Sequence, residues 1–81
     1  MKDLLDLIIK NILPDESKFQ ISEEIDGDVI KLIIKTEDQD GGLIIGKGGK
    51  IIKAIRNILR IKATLDHKKI VLQVNPETVT L

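Results

Sequence analysis

The residues best suited to chemistry in this chain form a glycine-rich loop, Gly46-Lys47-Gly48-Gly49, with Lys50 directly after it. Glycine has no Cβ, so three glycines within four positions allow the backbone to come very close to a ligand. A helical apolar pattern follows, and the first amide groups of a helix lack intrahelical partners and attract anions. The two lysines place positive charge at the same spot. Together these features predict a phosphate-binding loop.

Two other phosphate-binding motifs fail at specific positions. The segment 41–47 reads G-x-x-x-x-G-K, but Gly48 stands where a nucleoside-triphosphate P-loop needs Ser or Thr to hold magnesium. The loop also follows a predicted short helix, whereas a P-loop follows a strand. The glycine spacing does not fit the dinucleotide fingerprint either, and no βαβ unit surrounds the loop. We therefore expect no nucleotide cofactor.

The composition limits the chain to one small domain without catalytic machinery. Its 81 residues leave no room for a second core or a buried catalytic chamber. With 42% hydrophobic and 32% charged residues, it has the composition of an ordinary globular protein. Cysteine is absent, which excludes disulfides and zinc–cysteine sites, and His67 is the single histidine. We expect a protein that is not an enzyme and that holds no metal.

Two further absences concern nucleic acid and membranes. Phe19 is the only aromatic residue, so a platform of aromatic side chains for base stacking, as in the RRM fold, is excluded. The N-terminus lacks the charge pattern of a signal peptide, and no apolar run is long enough to cross a membrane. We expect a cytoplasmic protein with no membrane partner.

The charge is balanced in total but unevenly distributed. Residues 1–40 carry five lysines against eleven carboxylates, a net charge of −6. Residues 47–69 carry eight basic residues against the single acid Asp66, a net charge of +7. A basic half beside an acidic half suggests one face directed at an anion. On charge alone, a pair of plain solvated helix faces explains the pattern equally well.

The first half of the chain predicts a helix and a hairpin. Apolar residues recur at helical spacing from Leu4 to Ile12, and Pro14 stops that helix. Asp26-Gly27 is a strong hairpin signal because glycine accepts positive φ freely. It separates a strand over 19–25 from a strand over 29–35, which is rich in β-branched residues.

The second half predicts two helices and a last strand. Thr36 with Gln39 forms a capping box for a short helix that ends at about Ile45. A second helix, amphipathic through Ile51, Ile52, Ile55, Ile58 and Leu59, runs from the glycine loop to about Ala63. Alternating apolar residues over 70–74 predict the last strand.

These elements give an α+β domain with the order α-β-β-α-α-β. Two layers are expected, with the helices packed on a three-stranded sheet. The domain spans residues 1–75, and residues 76–81 are expected to form a short C-terminal tail.

The run from Ile44 to Ile55 resembles the KH signature, apolar-Ile-Gly-x-x-Gly-x-x-Ile-x-x-Ile, position by position. The order of elements is similar to the type II, prokaryotic KH arrangement. Over residues 2–75 the chain resembles the KhpA family of small bacterial RNA-binding proteins. Two positions depart from that pattern. Leu43 stands where a basic residue is common, and His67 stands where a glycine is common, which suggests a turn residue with positive φ.

The resemblance implies a function and a site. A KH domain clamps about four nucleotides of single-stranded RNA in a groove beside its GxxG loop. The family resemblance further implies an RNA chaperone or post-transcriptional regulator in a bacterium. Aliphatic side chains would form the groove floor, and further cations would extend the positive track. The RNA-binding residues implied in this way are Gly46, Lys47, Gly48, Gly49, Lys50, Ile45, Ile52, Lys53, Arg56 and, in the second strand, Ile33.

The resemblance also implies protein partners. Members of this family form homodimers and pair with a larger KH protein, KhpB, and linking two weak sites raises the affinity for RNA. An alternative function is a protein-interaction module that uses the KH scaffold only as a shape. The sequence leaves open the preferred RNA sequence, the choice between RNA and single-stranded DNA, and the dimer interface.

Overall fold

The computed structural model describes residues 1–75 and 77–78, and its elements follow the predicted order. A two-residue strand comes after the last predicted one, inside the segment expected to be a tail. Residues 76 and 79–81 of that segment lie outside the described residues. The elements are α1 (Lys2–Lys10), β1 (Phe19–Asp26), β2 (Val29–Thr36), α2 (Asp38–Ile45), α3 (Lys50–Leu65), β3 (Lys69–Val74) and β4 (Glu77–Thr78).

The sheet is built on three long strands, as predicted, with β4 at its edge. β1 and β2 form an antiparallel hairpin around Gly27, whose φ is +58°. β2 and β3 run parallel, with Ile30 opposite Ile70 and Ile34 opposite Val74. The short β4 pairs antiparallel with the end of β3, so the strand order is β1-β2-β3-β4. The parallel pair requires a crossover, which α2 and α3 supply.

The core lies between the sheet and the helices, and it is entirely aliphatic. Successive residues of β2 alternate between the faces of the sheet, and the buried ones face the helices. Within the described residues no helix packs on the opposite face. None of the helices described here has the length and apolar character to cross a membrane. The buried side chains are Leu5, Ile9, Leu13, Ile21, Ile30, Leu32, Ile34, Ile44, Ile52, Ile55, Leu59, Ala63, Ile70, Leu72 and Val74.

The first helix ends at Lys10, earlier than Pro14 alone requires. The chain leaves the helix through a tight turn in which the Ile12 amide donates to the Ile9 carbonyl at 2.9 Å. The Asn11 side chain supports this turn, because its amide nitrogen donates to the Leu7 carbonyl at 2.8 Å.

The capping box predicted for α2 is wrong. The helix begins after Glu37, and within the described residues no side chain caps its first turn. Thr36 is instead the last residue of β2, and its hydroxyl donates to the Glu37 carbonyl at 2.9 Å. The predicted end of the helix at Ile45 is confirmed.

The end of α3 is a Schellman motif, in which two amides beyond the helix bond back to its last turn. The Lys68 amide donates to the Ala63 carbonyl at 2.7 Å, and the His67 amide donates to the Thr64 carbonyl at 3.1 Å. His67 has φ +58°, so the turn residue with positive φ expected here is confirmed. A side chain at this position costs energy that glycine avoids.

Replacing His67 with glycine should therefore stabilise the protein by about 0.5–1 kcal/mol, because the left-handed backbone is then unstrained. Urea unfolding measures this change. The control His67→Ala keeps the Cβ and should give no comparable gain. Equal stabilisation by both substitutions would show that the imidazole, and not the backbone conformation, carries the cost.

Candidate nucleic-acid interface

The glycine loop follows a backbone path that residues with side chains rarely adopt. Gly46 has φ +76°, Gly48 has φ +66° and Gly49 has φ +76°. The Gly49 amide donates to the Gly46 carbonyl at 3.1 Å and closes the turn between α2 and α3. A positive φ brings an L-residue's Cβ too close to the following carbonyl, so this turn requires glycine for conformation alone.

The individual glycines face different surroundings. A Cβ on Gly46 would lie 2.6 Å from Cγ1 of Ile51, so Gly46 is also required by packing. A Cβ on Gly48 would meet nothing within 4 Å. Gly48 is exposed at the tip of the loop, as is Lys47 beside it. The loop thus has a packed base and an open tip that a ligand can reach.

The open tip leads directly into the start of α3. Gly49 is the residue before this helix, and within the described residues no side chain caps its first amides. The first turn contains no acid, while Lys50 and Lys53 are exposed there. Uncapped amides, the positive end of the helix dipole and two lysines favour an anion at this position.

A groove runs from the loop along one face of α2. It is a cavity of about 230 Å³ between that helix and the end of β3. The helix contributes positions at spacings of three and four, which share one face. The groove ends at Ile45, which is 37% exposed and directly precedes the loop. The lining residues are Asp38, Gly41, Gly42, Ile45, Val74 and Asn75.

Asn75 fixes the wall of this groove opposite α2. Its Oδ1 accepts from the Thr36 amide at 2.7 Å, and its Nδ2 donates to the Thr36 hydroxyl at 3.0 Å. Its own amide donates to the Ile34 carbonyl at 3.0 Å, and its φ is +54°. The sequence indicated only a strand end here. The available signal was the tolerance of asparagine for the left-handed conformation.

The aliphatic residues predicted as the groove floor lie in three different places. Ile45 borders the groove. Ile52 is 4% exposed and belongs to the core, so it can support the groove only from beneath. Ile33 alternates with the buried Leu32 and Ile34, and therefore lies on the sheet face opposite the helices. The structure does not bring Ile33 to the loop, because side chains on a strand change face at each residue.

The two cations predicted to extend the positive track, Lys53 and Arg56, differ in their exposure to solvent. Lys53 is exposed, and its Cε would lie 3.7 Å from a Cβ on Gly49. Arg56 is half-buried, and its Nη1 is buried with no hydrogen-bond partner among the described residues. Lys53 therefore lies beside the loop, whereas Arg56 lies a further turn along α3.

A second apolar series lies on the exposed side of α3. The amphipathic pattern predicted one apolar side of this helix that included Ile51 and Ile58, but these two residues are 41% and 49% exposed. They belong to a stripe at alternating spacings of three and four that runs beside the buried series. This spacing was the signal that sequence reasoning missed. The stripe, called the α3 stripe below, consists of Ile51, Ala54, Ile58, Ile61 and Leu65.

Comparison with known proteins covers nearly the whole chain. The family model of the KhpA/KhpB KH domain matches residues 2–74. The RNA-binding protein KhpA of Clostridium perfringens is 32% identical over 74 residues, which cover 91% of this chain and 99% of the relative. KhpA of Clostridium acetobutylicum is 35% identical over the same shares of both chains. KhpA of Chlamydia trachomatis is 34% identical over 77 residues, 95% of this chain and 99% of the relative. No solved structure gives a significant match.

The two glycines inside α2 should respond differently to alanine. A Cβ on Gly42 meets nothing within 4 Å, so Gly42→Ala should stabilise the helix by about 0.5–1 kcal/mol. A Cβ on Gly41 would lie 2.7 Å from Nδ2 of Asn75, so Gly41→Ala should give no gain or a loss.

Urea unfolding of both variants, alone and combined with Asn75→Ala, measures this difference. Removing the Asn75 amide should restore part of the gain from Gly41→Ala, because the Thr36 hydroxyl would remain 3.2 Å from the added Cβ, and should leave the gain from Gly42→Ala unchanged. Identical behaviour of the two glycines in both backgrounds would contradict the close contact between α2 and Asn75.

Proposed function

Because the chain belongs to the KhpA/KhpB family of KH domains, we propose that it binds single-stranded RNA at the glycine loop and the adjoining groove. The observation that carries this proposal is the open, left-handed tip at Gly48, set directly before the uncapped start of α3. Relatives over nearly the full length are named RNA-binding proteins and not enzymes. About four nucleotides fill such a groove in a KH domain.

The loop side of the groove holds the sugar-phosphate backbone. The absence of side chains at Gly48 and Gly49 admits a phosphate to the amides at the start of α3. Lys47 and Lys50 neutralise its charge, and Lys53 continues the positive surface along the helix. Each such contact releases counterions, which makes the affinity salt-dependent.

The groove side holds the bases. Ile45 offers an aliphatic surface on which a base can lie, and Ile52 supports it from the core. Gly42 leaves the α2 wall open for a close approach. Ile33 has no part in this arrangement, because it faces away. RNA binding of this kind supports a role as an RNA chaperone or post-transcriptional regulator in the bacterial cytoplasm.

The double substitution Lys47→Asp/Gly48→Asp should weaken RNA binding about tenfold or more, since it removes one cation and adds two carboxylates at the phosphate position. Fluorescence anisotropy with a pool of short single-stranded RNAs measures the change. The salt dependence of wild-type binding should correspond to a few phosphates, with a slope of about 0.7 per contact.

A matched control is available at the other end of the sheet. Gly27 also has positive φ and an open Cβ position, and Lys69 is an exposed lysine near it. Lys69→Asp/Gly27→Asp therefore makes the same chemical change in the same backbone conformation, away from the loop. Both variants are first checked for equal thermal stability. If the two variants lose the same affinity, or neither loses any, the loop is not the RNA clamp.

The α3 stripe supports a second proposal, that this chain binds protein partners. Apolar residues at spacings of three and four form the contact seam of paired helices. The positions that flank the stripe include Asn57 and Thr64, which are uncharged. Lys53 and Arg60 lie further round the helix, whereas the exposed Lys50 and Lys62 border the stripe. We propose a homodimer through this stripe, with a KhpB-like KH protein as a further partner for the same surface.

Such a dimer presents two weak RNA sites on one particle, which raises the affinity for a strand long enough to reach both.

The double substitution Ile58→Glu/Leu65→Glu should convert the dimer to a monomer, because it buries charge in an apolar seam. Sedimentation velocity at high micromolar concentration measures this. The control Ile25→Glu changes an exposed isoleucine outside the stripe and should leave the dimer intact. A monomeric wild-type protein would contradict the homodimer, and tight partner binding without RNA binding would favour the protein-interaction function.

A further inference from the structure

Among the described residues that line the groove, Asp38 in the first turn of α2 is the single charged one. This carboxylate is exposed and has no hydrogen bond or ion pair within the part of the chain that the structure describes. The other polar side chain among the described lining residues is Asn75, and both ends of its amide are bonded to Thr36. Asp38 is therefore the groove's uncommitted polar group.

The place of Asp38 decides which part of an RNA strand it meets. It lies seven residues before Ile45, about 10 Å along the helix axis at 1.5 Å per residue. The phosphate-binding lysines and amides are at the Ile45 end of the groove. A carboxylate repels phosphate, so the strand places a base edge, and not its backbone, against Asp38. Single-stranded RNA leaves the Watson–Crick edges of its bases free for such contacts.

A carboxylate accepts hydrogen bonds and donates none, and its two oxygens suit two adjacent donors. Guanine alone presents two adjacent N–H groups, N1–H and N2–H, on its Watson–Crick edge. Adenine and cytosine present one amino group beside an acceptor nitrogen that repels the second oxygen. Uracil presents one N–H between two carbonyl oxygens. Resting on the RNA binding proposed above, we infer that Asp38 selects a guanine at the far end of the groove from the glycine loop.

Two acids close to Asp38 show that its proposed role differs from the general stabilisation that acidic residues give to the start of a helix. Acidic residues near the start of a helix stabilise it through the dipole, and Glu37 and Asp40 share that effect with Asp38. Neither Glu37 nor Asp40 lines the groove. The side chain that borders the cavity, Asp38, is thus distinguished by position and not by charge.

The test compares short labelled RNAs by fluorescence anisotropy. The probes are an oligouridine and RNAs of the same length with a single guanine at each position in turn. The wild-type protein should bind the RNA with guanine at one particular position about tenfold more tightly than oligouridine. This factor is near the low end for a bidentate contact to a base, because the carboxylate is exposed. Inosine, which lacks the N2 amino group, should lose most of this preference at that position.

Two variants assign the preference to the carboxylate. Asp38→Asn should abolish the preference, so that this variant binds the guanine probe and oligouridine with the same affinity. Glu37→Gln removes the same charge from the adjacent residue outside the groove and should keep the preference. Thermal unfolding shows whether both variants fold like the wild type.

The outcomes distinguish the two proposals. If the wild type binds every probe equally, or if Asp38→Asn raises the affinity for all probes equally, the guanine selection is wrong while RNA binding stands. If Glu37→Gln removes the preference as well, general charge is responsible and the inference is overturned. If the wild type binds none of the probes, both the proposed function and the inference are overturned.

Discussion

The rest of the structure depends on one backbone constraint, the run of positive φ angles in the glycine loop that connects α2 to α3. Three glycines with positive φ make this reversal within four residues, and the Gly49 amide closes it on the Gly46 carbonyl. The turn lets two helices cross from β2 to β3, which is what allows those strands to run parallel. In the part of the chain that the structure describes, the same turn leaves the first amides of α3 without a side-chain cap. A single conformational requirement thus produces the fold's crossover and the point at which anion binding is proposed.

Three parts of the surface of α3, the helix that follows the turn, differ in burial and chemistry. One side, which includes Ile55 and Leu59, is buried against the sheet. Its start, with the exposed Lys50 and Lys53, lies at the proposed phosphate position. A third side carries the α3 stripe. Because a helix returns to the same face every three to four residues, these series coexist in one sequence without interrupting one another. The proposed RNA site and the proposed dimer surface therefore share one rigid element.

The end of the parallel pair of strands shapes the groove. Asn75 ties the end of β3 to Thr36 at the end of β2, and its amide lies so close to α2 that a side chain at Gly41 would collide with it. Hydrogen bonds to the end of β2 thereby help to hold the wall opposite α2, whose other member, Val74, is packed in the core. A fixed wall spares part of the ordering cost that a flexible site pays on binding. Asp38, at the open end between these elements, is left free to contact a ligand.

What the sequence by itself determined was local. Periodicity and the Asp26-Gly27 turn predicted the elements and their order, and the pattern from Ile44 to Ile55 predicted the loop. Positive φ at His67 also followed from the resemblance, because His67 stands where a glycine is common. These features depend on conformational preferences of a few neighbouring residues. Only the tertiary structure decided which side of an element meets another. In the folded protein Ile33 lies on the sheet face opposite the helices, and Ile58 is exposed. Thr36 belongs to β2 and does not cap α2, and Asn75 lies next to Gly41. Each of these outcomes depends on a partner distant in the chain, and no local preference encodes that contact.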